Sequence, residues 1–466
     1  MAWNFPLVTR FRIGARLGLL VAALVNYCYS ATYTWDGGGG DGNWLTAGNW
    51  SPDGAPARTA GHDLAFAGTL NTTTNANNGG WSVNSLTFSN TACAFTSGGG
   101  TLTIGAGGIT NNSTATQTVN NQVSLGANQT WNAASGAIVT GTSQVGAVGR
   151  NLTLTGNGAI SIGGQVGNVG VLTLSGAGNR TFSNTNTFSA TTINASSNGT
   201  NTFAAQVNAT TINLTSGNHL FTRTTTSAQA GNGGLNISGN ASATFSGNVA
   251  GGNGGINISS SGDIVFAASI TGGSLTLNGT GTTTLAANGS NNISNTIVNS
   301  GTLIMDQSGS GHSINGPLTV NNGGTVIFAG DGQVPHWQTV TLNEGSSLFL
   351  GDTAQTIQNL IINGDSVIDF GSGGSQFNVS GSITIADNIT LTIVNWNEGD
   401  VFAGNNPGAP VVNVQYADND GTIYASGTWG GGTISPGAPI PEPAAAGFLL
   451  LGGSLALVLL RRRPRR

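Results

Sequence analysis

From Thr101 to Trp396 the chain alternates apolar and polar residues in short runs punctuated by Gly and Asn. An alternation of period two places the apolar side chains on one face of a strand and the polar ones on the other. The runs also recur at longer range. Gly231 to Gly251 reappears as Gly252 to Gly272, a period of 21 with 9 identities. An aliphatic-Asn pair steps along the chain at Ile193-Asn194, Ile212-Asn213, Leu235-Asn236, Ile256-Asn257 and Leu277-Asn278, at intervals of 19, 23, 21 and 21. Further on, Val320, Leu342, Ile362 and Ile385 form one series, and Phe328, Leu350, Phe370 and Ile393 follow eight residues behind, both advancing by 22, 20 and 23.

Two strands per repeat held at constant offset while the period drifts predict a chain winding around one axis. A sandwich spaces strands by roughly 8 to 12 residues and gives the offset no reason to survive. The expected fold is therefore all-β, a right-handed parallel β-helix (solenoid) over 101–396, with aliphatic columns inside and Asn ladders at the corners. Roughly 14 coils at about 4.8 Å each make a rod near 70 Å long. Its ends are open strand edges that need covering, by an N-terminal cap with the first strands in 31–100 and by a C-terminal cap and linker in 397–440. Antiparallel hairpins are the competing arrangement, because Asn-Gly turns suit them as well.

Composition agrees with a polar, repetitive β protein. Charged residues make up 6% of the chain, where ordinary domains carry about 25%, and Gly numbers 76 of 466. Between Ala31 and Ile440 stand 16 acids, 4 arginines (Arg58, Arg150, Arg180, Arg223) and no lysine, a net charge of −12. Nucleic acid and anionic lipid are thereby excluded as expected partners. No acid occurs from Leu64 to Gly262, whereas Thr224 to Ile440 holds 12 acids and no base. One half is near neutral and the other repels anions.

Both termini read as addresses. Arg10, Arg12 and Arg16 precede the apolar stretch Leu17 to Val25, with small residues at Cys28 and Ser30, so 1–30 reads as a signal helix cut before Ala31 by signal peptidase after Sec export. Its removal leaves Cys93 alone, without an intramolecular disulfide partner; a small buried hydrophobe is the expected role. At the other end, Pro441-Glu442-Pro443 is followed by 17 uncharged residues, Ala444 to Leu460, and then Arg461, Arg462, Arg463, Pro464, Arg465 and Arg466. As a helix, 444–460 reaches about 25 Å, the short limit of a single transmembrane helix. The arginines hold its end in the cytoplasm and the body outside.

This three-part tail resembles the PEP-CTERM sorting signal, all parts present and in order over 441–466. The resemblance implies recognition of Pro441, Glu442, Pro443 and the Arg461, Arg462, Arg463 cluster by an exosortase-type membrane protease. It also implies removal of the helix and delivery to the surface of a Gram-negative cell that makes extracellular polysaccharide. A second resemblance, to the autotransporter-associated β-strand repeat, rests on Leu275 to Leu285 with Asn291 to Leu303, and more weakly on Leu172 to Asn194. Trp35 to Trp50 and Ser366 to Trp396 are similar to the ends of long PEP-CTERM proteins built on that repeat. No translocator barrel follows the repeats, so the sorting tail is the expected substitute.

Candidate chemistry is sparse. Asp365 and Asp369, four apart on one strand, lie about 13 Å from each other, beyond the roughly 6.5–9.5 Å of an inverting glycosidase pair. Asp418 and Asp420 stand in a turn sequence. A lyase needs cations for its substrate's carboxylates, and the acidic half has none. His62, His219, His312 and His336 are scattered without metal-ligand spacing, and no HExxH or CxxC occurs. The segment from Gly37 to Gly42 satisfies GxGxxG in form but is flanked by no strand and helix, so it reads as a turn. Neither catalytic residue, metal nor cofactor is expected. The best ligand candidates are Trp35, Trp44 and Trp50, whose indoles would stack on sugar if exposed; the competing role is an end cap. The sequence thus points to a non-catalytic, adhesin-like structural protein among exopolysaccharide. A polysaccharide-active β-helix enzyme and a carbohydrate-binding surface protein are the alternatives.

Overall fold

A computed structural model describes residues 31–76, 79–227, 233–309, 311–405, 411–416, 423–424 and 427–436. The signal segment 1–30, the sorting tail 441–466 with its helix 444–460, and Asp418 and Asp420 lie outside the described residues. Within them the chain is an all-β solenoid of about 16 turns. Its one helical element is the 3-10 turn Ala47–Asn49. No helix among the described residues is long and apolar enough to cross a membrane.

Successive coils pair in parallel, in register, along distinct faces. On the first, Leu152, Leu172, Ile193, Ile212, Leu235, Ile256 and Leu275 are successive partners, each at most 1% exposed. The apolar run of every coil thus lands on that of the previous one, as the period-two pattern requires. On the second face Phe182, Phe203, Phe221, Phe245 and Phe266 stack with ring centroids 4.8, 4.9, 4.8 and 5.0 Å apart, their planes within 10°. That spacing is the coil rise itself. A third, shorter face carries Val145–Gly146, Val166–Gly167, Thr225–Ser227, Val249–Ala250 and Ile270–Thr271. It merges with the first where the long strands Phe188–Ala195 and Val207–Leu214 run through the corner.

The hairpin alternative is overturned: among the described strands, antiparallel pairs occur only at the two ends. The Asn and Gly positions turn the chain onto its next face instead of reversing it. Two details of register also differ from expectation. Leu277 pairs with Ile258, so the successor of Asn257 is Thr276 and Asn278 belongs to the next outward position. The coil from Ile256 to Leu275 is two residues short of the period, and a slip of two preserves which side faces in. Likewise Ile393 pairs with Ile368 and not with Phe370. Glycines Gly371, Gly373 and Gly374, all at positive φ, lengthen that coil.

Parallel pairing begins at Thr32–Trp35, well before residue 101. Its outer edge is covered by the antiparallel strand Trp50–Ser51, with Trp35 opposite Trp50. At the far end the hairpin of Gly427–Gly430 and Thr433–Pro436 joins antiparallel to Val401–Ala403. Antiparallel strands therefore cover part of each open end, which helps a solenoid stay a discrete molecule.

Candidate ligand-binding surface

Outward positions of the coils repeat as faithfully as inward ones. On the first face Asn213 Nδ2 donates to Asn194 Oδ1 (2.8 Å), Asn236 to Asn213 (2.9 Å) and Asn257 to Asn236 (3.2 Å). This ladder lies on the strands, not at corners. A second ladder, two residues further along and just past the strand ends, does turn a corner: Asn299 donates to Asn278, Asn321 to Asn299, Asn343 to Asn321 and Asn363 to Asn343, at 2.6, 2.5, 2.6 and 3.1 Å. Each interior amide of a ladder donates to the coil before it and accepts from the one after, so the side chains align their dipoles along the axis.

The N-terminal tryptophans are not a sugar platform. Trp35, Trp44 and Trp50 are all 0% exposed and pack edge to face, with centroids 5.0 Å apart for Trp35 and Trp50 and 6.2 Å for Trp44 and Trp50, over Phe66 and Trp81. Trp50 Nε1 donates to Trp44 O at 2.8 Å. A first coil has no coil beneath it, and these rings fill the space that one would occupy. Asp41 fastens the loop over them, accepting from Asn43 N (3.0 Å), Thr46 Oγ1 (2.9 Å) and Asn49 Nδ2 (2.8 Å), which holds its carboxyl below the usual carboxylate range. Gly37 in this loop, at φ +71°, lies where a Cβ would stand 2.6 Å from Leu70 O. The glycine-rich segment is thus a turn, as read.

Polar groups also enter the core. Arg180, 0% exposed, aligns between Ile160 and Asn201, and Asn201 aligns with His219. The Arg180 guanidinium donates to Gly158 O, Asn179 O, Gly156 O and Ser175 O at 2.8–3.1 Å, and burial lowers its pKa to about 10, still charged at neutral pH. His219 is 2% exposed, with Nδ1 3.3 Å from Asn201 Nδ2 and Nε2 3.0 Å from Ser216 O. Desolvation pushes its pKa down to about 4, so it is neutral inside the rod. A second buried column, Gln307, Gln333 and Gln355, substitutes side-chain amides for backbone pairing where the third face lapses: Gln333 Oε1 accepts from Gln307 N (2.9 Å) and Gln355 Oε1 from Gln333 N (2.8 Å).

The acids are engaged in structure. Asp365 Oδ1 accepts from Thr390 N at 2.7 Å, and Asp369 Oδ1 from Gly371 N and Asn395 Nδ2 at 2.9 and 2.8 Å. Among the described residues no three His, Cys, Asp or Glu side chains are grouped closely enough to hold a metal ion. Cys93 is exposed, contrary to the expected buried role; its corner loop is pinned by its own N–H to Gly68 O at 3.0 Å and leaves the thiol outside.

The histidines are not isolated. His62 packs against Tyr33 at 4.9 Å, and His219 is in the core. His312 and His336 converge on Trp337, edge on, at 5.6 and 4.7 Å. Of the eight tryptophans described, Trp337 alone is exposed, at 48%. It sits on the loop between Gly324–Phe328 and Thr339–Leu342, whose Val334 is buried and whose Gln338 N closes a turn on Pro335 O at 2.9 Å. His312 Nδ1 lies 2.6 Å from Gly332 O of the same loop. Sequence reasoning passed over this cluster because His312 and His336 are a coil apart and meet only when the coils stack.

Elsewhere the surface offers shallow grooves. One, of about 320 Å³, runs past Gly149, Asn168, Ser189 and Asn208 without a titratable side chain. No family model, no curated protein and no solved structure matches the chain, so its fold and surface stand on their own geometry.

Proposed function

We propose that the protein is a non-catalytic, right-handed β-helical rod exported through the Sec machinery, sorted by an exosortase-type protease and displayed among extracellular polysaccharide as an adhesin-like structural component. The observation that carries this reading is the repetition of the outer surface: two asparagine ladders present the same amide on coil after coil. A surface of that kind works by length and repeated weak contacts, whereas a catalyst needs one convergent site. The alternative of a polysaccharide-active enzyme is weakened further by the commitment of its candidate glycosidase pair, Asp365 and Asp369, to neighbouring coils.

The sorting half of the proposal rests on the order of Pro441-Glu442-Pro443, apolar helix and arginines. Cell fractionation followed by mass spectrometry of the mature C-terminus tests it. Surface material should end near Pro441 to Pro443. Surface protein that still carries Arg461 to Arg466 would falsify exosortase processing.

A further inference from the structure

We infer that Trp337 is the stacking platform of a subsite for neutral glycan, with His312 and His336 as flanking hydrogen-bonding groups; the inference deepens the polysaccharide association proposed above and rests on it. A pyranose ring presents a C–H face that packs on an indole while its hydroxyls need donors and acceptors at the rim. Trp337 supplies the first and its surroundings supply the second.

Three observations converge. The chain buries the large rings of Trp35, Trp44, Trp50, Trp81 and Trp131 and leaves Trp337 at 48% exposure, so this ring is held in water where the fold elsewhere avoids it. The ring is fixed in place: buried Val334 and Pro335 root the loop, His312 is tied to Gly332 O, and both imidazoles press on the indole. A fixed ring loses little freedom on binding. The rim is polar and periodic: Gln338 Nε2 donates to Asn315 O at 2.7 Å, and Gln358 N donates to Gln338 O at 2.9 Å. These bonds place Asn315, Gln338 and Gln358 on successive coils about 4.8 Å apart, with the Asn315 and Gln358 side chains exposed, so that a linear glycan laid along the axis from Trp337 would have their amides within reach.

Charge selects the ligand class. Thr224 to Ile440 carries 12 acids and no Lys or Arg. Uronate or sulfate groups find no fixed cation near this loop and face a negative field. Neutral polymers meet no such barrier.

The test is affinity electrophoresis of the full-length protein in gels containing hydroxyethylcellulose, galactomannan or dextran, with alginate as the anionic arm. The wild type should be retarded by at least one neutral glycan and not by alginate. Trp337→Ala should weaken that binding roughly tenfold with an unchanged urea midpoint. His336→Ala, at an exposed position whose loss leaves the coil intact, should weaken it severalfold. No retardation by any neutral glycan, retardation by alginate alone, or wild-type binding by both variants overturns the subsite. Should Trp337→Ala misfold, His336→Ala decides alone. Missing glycan binding in a protein that is correctly processed and displayed defeats only the subsite. Failed processing with Trp337-dependent binding defeats only the sorting half of the proposed function.

Discussion

Acid should loosen this rod at a single imidazole before its carboxylates titrate. His219 is neutral in the folded state, its pKa about 4 because desolvation opposes the charge, against 6.5 for the free side chain. A depressed histidine pKa means that the unfolded chain takes up the proton first. Stability is thus constant above pH 6.5 and falls as pH drops from there through the folded value. Integrating the linkage gives a loss of about 2 kcal/mol between pH 7 and 5, approaching about 3 kcal/mol below pH 4. His219→Gln removes the titration while leaving an amide beside Asn201. Urea unfolding followed by far-UV circular dichroism at pH 7 and pH 5, wild type minus variant, isolates the term because all other groups are shared. The wild type should lose about 2 kcal/mol more than the variant over that interval. Equal losses in the two proteins would show that His219 is not desolvated and that the buried column is wrongly read.

Three further outcomes follow from the same geometry. Phe221→Ala opens a hole between Phe203 and Phe245 and should cost about 3–5 kcal/mol, read as a lowered urea midpoint, with Phe221→Leu costing less. Arg180→Ala opens a cavity and strands the carbonyls of Gly158 and Ser175, those of Asn179 and Gly156 keeping the N–H groups of Ile160 and Gly178, and should destabilise by about 2–3 kcal/mol; an unaltered midpoint would mean that water replaces the guanidinium at no cost. Asn321→Ala breaks one ladder in two places, to Asn299 and Asn343, and should cost about 1–2 kcal/mol in thermal unfolding. Asn321→Asp, which loses the donor and adds a charge, should cost more at pH 7 than at pH 3.

Fold and ladders were legible in different degrees. The inward columns could be read because apolar alternation marks them directly: Val320, Leu342 and Ile362 are partners as their spacing implied. Local departures were not, because a coil shortened by two residues, as at Leu275, conserves alternation and leaves no trace in the pattern. The Phe stack was hidden because Phe182, Phe203, Phe221, Phe245 and Phe266 step by 21, 18, 24 and 21, and only the last step falls within a close repeat of the surrounding residues. The tryptophans show the limit most plainly. Trp35, Trp44 and Trp50 and the solitary Trp337 are alike as letters; only the missing coil beneath the first three and the solid loop beneath the last decide which are hidden.

The aromatic plug at the start of the rod has a consequence for order in time. Most contacts join residues one coil apart, about 20 positions in sequence, so each coil needs only its predecessor as a template. Trp35, Trp44 and Trp50 are synthesised first and, once Phe66 and Trp81 join them, form the floor on which later coils are laid. Growth is then vectorial, and the acidic half, made last, is laid on a finished surface. A chain lacking residues 31–51 should consequently refold slowly and from several internal starting points, which pulsed hydrogen exchange along the coils would resolve.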